Sequence, residues 1–472
     1  LWRNKGDGTF EDVTAKAKLT GGYGSGVWAD YNNDGWLDFF AFGDADALFK
    51  NNGDGTFTNV TAEVNPKISD GLPTLGAGWG DYDRDGFVDF YAANYERPFG
   101  VGNPDFLWKN IKGDRFEDVT ASAGVVPAKN MCGRGVNWGD YNNDGWLDIF
   151  VSNYRLNPDF LWKNNADGTF TNVAREVGVE GKPVNNAYGH TIGAEWADYD
   201  NDGNLDLFQA NLAHPRYITF SNMSYLLHNN GAPDYHFTEC RRESGIRYEE
   251  THSDVAWGDF DNDGLLDLYI ASCYPNVPSF LYRQFPKGRF TDVTWLTGTR
   301  ATDTWGCTWA DYDNDGDLDL MVCEQGKVHL FRNETISGQA VANSKMFPNR
   351  WLEVKLIGSD CNKSAIGARL TLTLEKTKPP VNRVGDIPLI TPLLIPTKQY
   401  MREVEGGKGA GNQNSLVQHF GLGDYKGKCE LTVRWPCAPM PSDTGRSERE
   451  HRSGKTTTHS VEPGKMVTIQ EP

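Results

Sequence analysis

The chain has 472 residues, 12% of them aromatic, and a formal net charge of −18. That length suits one large repeat domain plus a small one, the aromatic content argues against disorder, and the acidity excludes nucleic acid and anionic membranes as natural partners. No run of 18 apolar residues is present, so no membrane span is expected.

The first element is a phrase, Leu1-Trp2-Arg3-Asn4 followed by Gly-Thr-Phe-Glu-Asp-Val-Thr up to Thr14. It returns from Leu48, Leu107 and Leu161, more loosely from Leu226 and Leu281, and in truncated form at Leu330-Phe331-Arg332-Asn333. The chain therefore opens inside a repeat, which reads as a processed or incomplete N-terminus. A second phrase alternates with the first. It begins at Asp30, Asp81, Asp140, Asp198, Asp259 and Asp311, at intervals of 51, 59, 58, 61 and 52 residues. Two residues before each start stands a tryptophan: Trp28, Trp79, Trp138, Trp196, Trp257 and Trp309.

Each repeat holds four short strand-like runs divided by Gly, Asn and Asp, and no stretch of 12 residues has helical periodicity. Four strands per repeat describe a β-propeller blade, whose faces are buried only when blades pack radially. Six loops predict six blades. The seven Leu-aromatic phrases leave open a seventh blade shared by the chain ends, and Gly-Thr-Phe-Glu-Asp-Val-Thr is expected to supply the strand that the last repeat lacks, closing the ring.

The second phrase is a nine-residue ligand loop. Oxygen-bearing side chains fall at positions one, three, five and nine, and the residue at position seven offers a backbone carbonyl. In chain order these are Asp30, Asn32, Asp34, Trp36 and Asp38; Asp81, Asp83, Asp85, Phe87 and Asp89; Asp140, Asn142, Asp144, Trp146 and Asp148. The later three are Asp198, Asp200, Asp202, Asn204 and Asp206; Asp259, Asp261, Asp263, Leu265 and Asp267; Asp311, Asp313, Asp315, Asp317 and Asp319. Position six is always glycine, which permits the sharp turn around an ion. About six oxygens and no soft ligand suit Ca²⁺ rather than Mg²⁺, Zn²⁺ or copper. An EF-hand would need Glu at position twelve, where Ala41, Ala92, Val151, Gln209, Ile270 and Val322 stand instead. Six bound Ca²⁺ would bring the formal charge from −18 to −6. Weak loops saturate only where calcium is abundant, so an extracellular or cell-surface (secreted) setting is expected.

Residues 1–335 are thus read as the propeller, 336–349 as a linker and 350–472 as a small β-sandwich or barrel, with alternating runs at Trp351-Leu-Glu-Val-Lys-Leu, Ala368-Arg-Leu-Thr-Leu-Thr-Leu and Cys429-Glu-Leu-Thr-Val-Arg-Trp. The apolar, proline-broken segment 387–396 reads as a buried edge strand or a docking strand, and 438–460 as a polar mobile loop. Eight scattered cysteines favour disulfides in an oxidising compartment. The sequons at Asn59, Asn222, Asn333 and Asn362 permit N-glycosylation. No His-Glu-x-x-His, Gly-x-Ser-x-Gly or P-loop is present. His190 and His252, shortly before two loops, could approach a central pocket, but axis packing is the plainer reading.

The loops resemble the FG-GAP/VCBS repeats of integrin α-subunit propellers. Asn362-Lys-Ser-Ala-Ile-Gly-Ala-Arg369, Glu403-Val-Glu-Gly-Gly-Lys-Gly409, His419-Phe-Gly-Leu-Gly423 and Val433-Arg-Trp-Pro436 resemble the ASPIC/UnbV domain that follows such propellers in the cartilage-acidic-protein-like family. The proline-rich insertion 377–397 and Cys437 depart from that pattern. The resemblance implies a secreted calcium-binding adhesion or matrix protein with no catalytic residue to carry over. A protein or glycan ligand on the extracellular side is the expected partner. Two alternatives stand beside it: a subunit of an extracellular assembly, by self-association, and a lectin using Tyr95 and Tyr154 as exposed stacking platforms.

Overall fold

The computed structural model describes residues 1–213, 221–247, 251–335, 349–374, 383–384, 387–388, 398–437 and 455–472. Of the expected linker, 336–348 lie outside the described residues, as do most of 377–397 and of 438–460; within the proline-rich stretch Arg383–Val384 pairs with Ile387–Pro388, and the rest of the expected docking strand, 389–396, lies outside. Thr456–Val461, which takes in the end of 438–460, is a strand paired with Cys429–Arg434 rather than a loop. Its run of threonines suits a pleated edge.

Five four-stranded antiparallel sheets follow one another at residues 25–59, 74–118, 132–172, 191–239 and 252–292, and a three-stranded sheet at 304–331 follows them. These are blades one to six of a β-propeller. Among the described residues the only helices are single turns, such as Thr61–Val64 and Ala174–Val177. The apolar clusters straddle neighbouring blades: Tyr82 and Tyr91 of blade two pack with Trp138 and Ile149 of blade three, and Phe208 and Leu226 of blade four with Trp257 and Leu268 of blade five. The repeated tryptophan explains the repeated glycine beside it. A Cβ on Gly80 would sit 2.5 Å from the Trp138 ring, and one on Gly258 2.8 Å from the Trp309 ring. The indole N–H then donates backwards, from Trp138 to the Gly78 carbonyl (2.8 Å) and from Trp309 to that of Ala256 (3.1 Å).

The ring does not close as expected. Phe10–Asp12 pairs with Trp2–Asn4 as a separate two-stranded ladder and does not join blade six. The Asn4 amide donates to the Tyr312 carbonyl (2.6 Å). Asn110 makes the same bond to Tyr31, Asn164 to Tyr82 and Asn229 to Tyr141, always from one blade to the preceding one. The N-terminal pair therefore occupies the outer half of a position after blade six. A hairpin between adjacent residues closes a short loop, whereas donating a strand to residues some 300 positions away does not.

After residue 349 two further sheets form. One orders Gln418–Gly423, Arg350–Ile357 and Lys465–Gln470; the other orders Gln399–Glu403, Arg369–Leu374, Cys429–Arg434 and Thr456–Val461. Leu352, Val354, Leu370, Leu372, Leu431 and Val433 bury their side chains in one cluster that runs on into Val27, Phe40, Trp79 and Phe90 of blades one and two. A disulfide joins Cys361 to Cys437, and the other six cysteines form no disulfide.

The two parts interlock. Residues 405–414 leave the C-terminal sheet as a hairpin, with Lys408 and Asn412 bonded to each other through both backbone pairs. The hairpin enters the propeller axis. Gly406 accepts from Trp79 N–H and Gly409 from Val136 N–H (both 3.1 Å), while Gln413 bonds both backbone groups of Trp28. Asn414 reaches Glu195, Asn412 reaches Asp254, and Thr308 donates to the Gln413 carbonyl. All six blades are touched. Glycine is required at the tip: Gly409 has φ +49°, and a Cβ there would lie 2.4 Å from Asp254 Oδ1.

Candidate metal loops and their docking face

The six loops share one backbone solution. The position-one carboxylate accepts through Oδ1 from the N–H of position five and through Oδ2 from that of the glycine, as in Asp30 with Asp34 and Gly35 and in Asp259 with Asp263 and Gly264. All six glycines have φ between +90° and +93°, where a side chain would be strained. Position four is also left-handed throughout, from Asn33 at +58° to Asn314 at +60°. This is the reason for its asparagine, with Arg84 the exception. The asparagine does a second job that sequence reading missed. Its amide donates to the position-six carbonyl of the next loop, from Asn33 to Gly86 (2.8 Å), Asn201 to Gly264 (3.1 Å) and Asn262 to Gly316 (3.3 Å).

Position nine is as much a strut as a ligand. Oδ1 of Asp89, Asp148, Asp206 and Asp267 accepts from a backbone N–H of the third strand at 2.7–2.8 Å; Oδ2 of Asp89 and Asp267 accepts from the position-two N–H (3.2 and 3.1 Å), while that of Asp148 and Asp206 is left for the loop interior. Several interior oxygens there have no protein partner: Oδ1 of Asp83, Asp200, Asp261 and Asp313 at position three, and Oδ2 of Asp148 and Asp206 at position nine. Ligand atoms of Asp81, Asp83 and Asp85 lie within 4.8 Å of one another, as do those of Asp198, Asp200 and Asp202 and of Asp259, Asp261 and Asp263. Burial, reinforced by the other loop carboxylates, pushes Asp38 up to about 7 and Asp206 up to about 8. Buried, orphaned and mutually repelling carboxylate oxygens fit a hard dication that would satisfy and neutralise them.

A basic arm accompanies each loop, another feature that sequence reading passed over. The residue before the third-strand asparagine, or before Gln284 in blade five, reaches its own blade's carboxylates: Lys50 to Asp34 (3.2 Å), Arg283 to Asp261 and Asp263, Arg332 to Asp313 (2.9 Å). In blade four the arm is His228, 3.1 Å from Asp206, which raises it to about 9. A dication among three or four carboxylates leaves a residual negative charge, which the arm offsets. The signal was readable in the recurring Leu-x-basic-Asn.

The loops are also a docking surface, because the C-terminal domain sits on them. Asp30 N–H donates to Ser364 Oγ (2.9 Å) and Lys363 N–H to Asn33 (2.9 Å). Arg434 and Arg369 converge on Asp140 beside Glu403, and Asn349 donates to the Asp261 carbonyl. A Cβ on Gly421 would lie 1.9 Å from Asp259 Oδ2. Between the two parts lies a cavity of ≈ 230 Å³ lined by Glu195, Trp257, Glu353, Arg402, Glu405 and His419. Below it Lys408 is fully buried with Glu195 (3.2 Å) and Asp254 (3.7 Å). Those two carboxylates hold its ammonium charged against burial.

The histidines near the axis line no pocket. His252 is wholly buried, with Nδ1 2.8 Å from Ser224 Oγ and its basicity pushed down to about 3 by burial; His190 is 1% exposed against the Tyr154 ring. Tyr154 is 5% exposed and Tyr95 half-buried, the two packed edge to face. They are not the exposed platforms expected of them: Tyr154 ends the strand Asp148–Tyr154 and packs against His190, and both rings lie by the Arg134 guanidinium. Of the sequons, Asn362 is fully buried with both amide atoms bonded to Ile366, so it cannot carry a glycan in this fold, whereas Asn59 is exposed.

Residues 1–41, 30–92, 140–208 and 259–322 match the FG-GAP-like repeat family, and 394–472 match ASPIC and UnbV. The chain is similar to cartilage acidic protein 1 of Homo sapiens, at 26% identity over 466 residues (90% of this chain, 58% of that one), and of Xenopus tropicalis, at 26% over 403 residues (82% and 53%). It therefore spans about half the length of these curated relatives. A solved Agrocybe aegerita lectin, described as recognising non-reducing terminal N-acetylglucosamine, aligns with a TM-score of 0.43 at 16% identity over 71% of this chain and 84% of that one. At that score the likeness carries no functional argument.

Proposed function

The chain belongs to the FG-GAP-repeat proteins that end in an ASPIC/UnbV domain, and on that premise we propose that it is a secreted, calcium-loaded recognition protein without catalytic activity. The supporting observation is the set of orphaned carboxylate oxygens at loop positions three and nine, each in a cage already shaped by the glycine and by the position-one aspartate. Ca²⁺ would be held by the side chains of positions one, three, five and nine and the carbonyl of position seven, and it supplies positive charge rather than chemistry. Because the same loops carry the C-terminal domain, metal binding stabilises both the blades and the docking of that domain. Occupancy of such loops requires abundant calcium, which supports an extracellular location, as do relatives named for cartilage. The described helices include none long and apolar enough to cross a membrane. Shape complementarity on a rigid surface suits binding an extracellular protein ligand. Elemental analysis of chain purified in calcium should find about six Ca²⁺ per chain, one per loop. Chelation should lower the melting temperature by tens of degrees, on the order of 2.7 kcal/mol per loop held at a hundredfold over its Kd. Metal-free protein with an unchanged melt would sink the reading.

A further inference from the structure

The face opposite the loops has a different chemistry. The loops join the end of each inner strand to the start of the second strand, so the beginnings of the inner strands gather at the far mouth of the axis. In blades two to six a one-residue register shift interrupts the inner ladder there, skipping Leu75, Arg134, Ile192, Ser253 and Trp305 in turn. A bulge re-aims the skipped side chain. Two of these, from blades three and six, meet across the axis: the Arg134 guanidinium carbon lies 5.9 Å from the centre of the Trp305 ring. It also lies 5.1 Å from the rings of both Tyr95 and Tyr154.

Arg134 is thus framed by three aromatic rings. Among the described residues it makes no ion pair and no hydrogen bond, and its Nε is buried without a partner. Its neighbours differ. Arg155 stacks on Phe99 (4.1 Å) and Tyr154 (5.5 Å) but is paired with Glu96, and Arg97 is paired with Asp44 (2.6 Å). In a chain of net charge −18 an arginine without a carboxylate needs an explanation. The rings surround the guanidinium carbon without supplying a charge to it, and a guanidinium's planar fork of N–H donors matches a carboxylate in a two-pronged hydrogen bond.

We propose that this mouth receives a carboxylate from a protein partner: the edge of Arg134, framed by Tyr95, Tyr154 and Trp305, binds an aspartate or glutamate side chain of an acidic segment. The inference deepens the recognition reading above and rests on it. A peptide is favoured over an acidic sugar for two reasons. The tyrosine faces that could stack on a sugar ring are taken up by Arg134. Around the charged anchor the same mouth presents Trp305 (39% exposed), and the loop carrying Tyr95 presents Phe99 (81%) and Val101 (52%). Apolar residues around a half-buried arginine are the composition of a protein hot spot.

The test pans a short random-peptide phage library on the calcium-loaded full chain and then measures the enriched peptides, synthesised, by fluorescence anisotropy. They should contain an Asp or Glu whose replacement by Asn or Gln weakens binding about tenfold or more, the scale of a lost charge-assisted pair. Arg134→Gln should do the same and Arg134→Lys should fall between, with unchanged calcium content and melting temperature. Trp305→Ala, at a partly exposed position, is a second probe of the mouth should Arg134→Gln misfold. Peptides that bind Arg134→Gln and Trp305→Ala as well as the parent would leave recognition standing and overturn this site. No enrichment at all would count against both. Displacement of enriched peptides by free glucuronate, with no effect from an equivalent Asp-containing tripeptide, would assign the mouth to an acidic glycan and overturn the peptide reading.

Discussion

The two ends of the propeller axis solve opposite electrostatic problems. At the loop end carboxylates are in excess, and the protein surrounds them with basic arms, with the arginines of the C-terminal domain and with cages suited to Ca²⁺. At the far mouth Arg134, among rings, has no carboxylate partner among the described residues. The loop end is covered by sheet and hairpin, while the mouth keeps Trp305 and Phe99 exposed. The difference separates a face devoted to holding the molecule together from one free to meet something else, and substitutions at the two ends should differ accordingly.

The largest expected effect lies on the axis between them. Lys408→Met strands Glu195 and Asp254 as buried carboxylates without a cation, which should cost about 3–5 kcal/mol of unfolding free energy in urea melts. A loss below about 1 kcal/mol would mean that the hairpin is not anchored through this lysine. Next comes a loop ligand. Asp148→Asn keeps an oxygen for the Asn164 N–H but weakens the cage, so one Ca²⁺ per chain should be lost along with about 2–3 kcal/mol in calcium. An unchanged calcium count would move the site away from position nine.

These two residues differ in how readable they were. Asp148 announced itself, because six copies of one ligand spacing mark the turn and the carboxylates that crowd it. Lys408 did not. It stands in Glu405-Gly-Gly-Lys-Gly-Ala-Gly-Asn412, a glycine-rich motif with no apolar periodicity to mark a buried position. Nothing in a local pattern says that the turn enters another domain. The position-four asparagine was visible only as turn chemistry, since its bond to the next loop depends on blade spacing. Arg134 was illegible for a third reason: its reach across the axis depends on a single-residue slip in strand pairing, which alternation does not encode. The blades themselves were legible because tryptophan, glycine and loop recur together, while the N-terminal pair was misplaced because the phrase does not say which neighbour it will join.

A smaller effect sharpens the comparison through pH. Asp105, remote from the loops, is pushed up to about 7 by burial, although the Asn94 N–H and the Tyr91 hydroxyl pull the other way. Its folded value exceeds the unfolded one near 3.8, so the folded state holds the extra proton between them. Stability from this group is complete below about pH 4 and is lost as pH rises through about 7. Asp105→Asn should therefore gain on the parent by roughly 1–2 kcal/mol between pH 5 and pH 8 at constant calcium. A gap independent of pH would show that the carboxyl is already ionised when folded. The smallest expected change is at the mouth, where Arg134→Gln removes ring contacts worth no more than about 1 kcal/mol at a partly exposed site. A large destabilisation there would make Arg134 a structural cap and erase the contrast between the two ends.

The interlocked hairpin also imposes an order in time. The blades are made first and the residues that thread them come last, since 405–414 follow blade six in the chain by more than 70 positions. The axis therefore stays unplugged until the C-terminal sheets have been synthesised and can seat the hairpin between the blades. Maturation is then a single late event, and a ribosome stalled before residue 405 would leave an open, unplugged ring with Glu195 and Asp254 facing water.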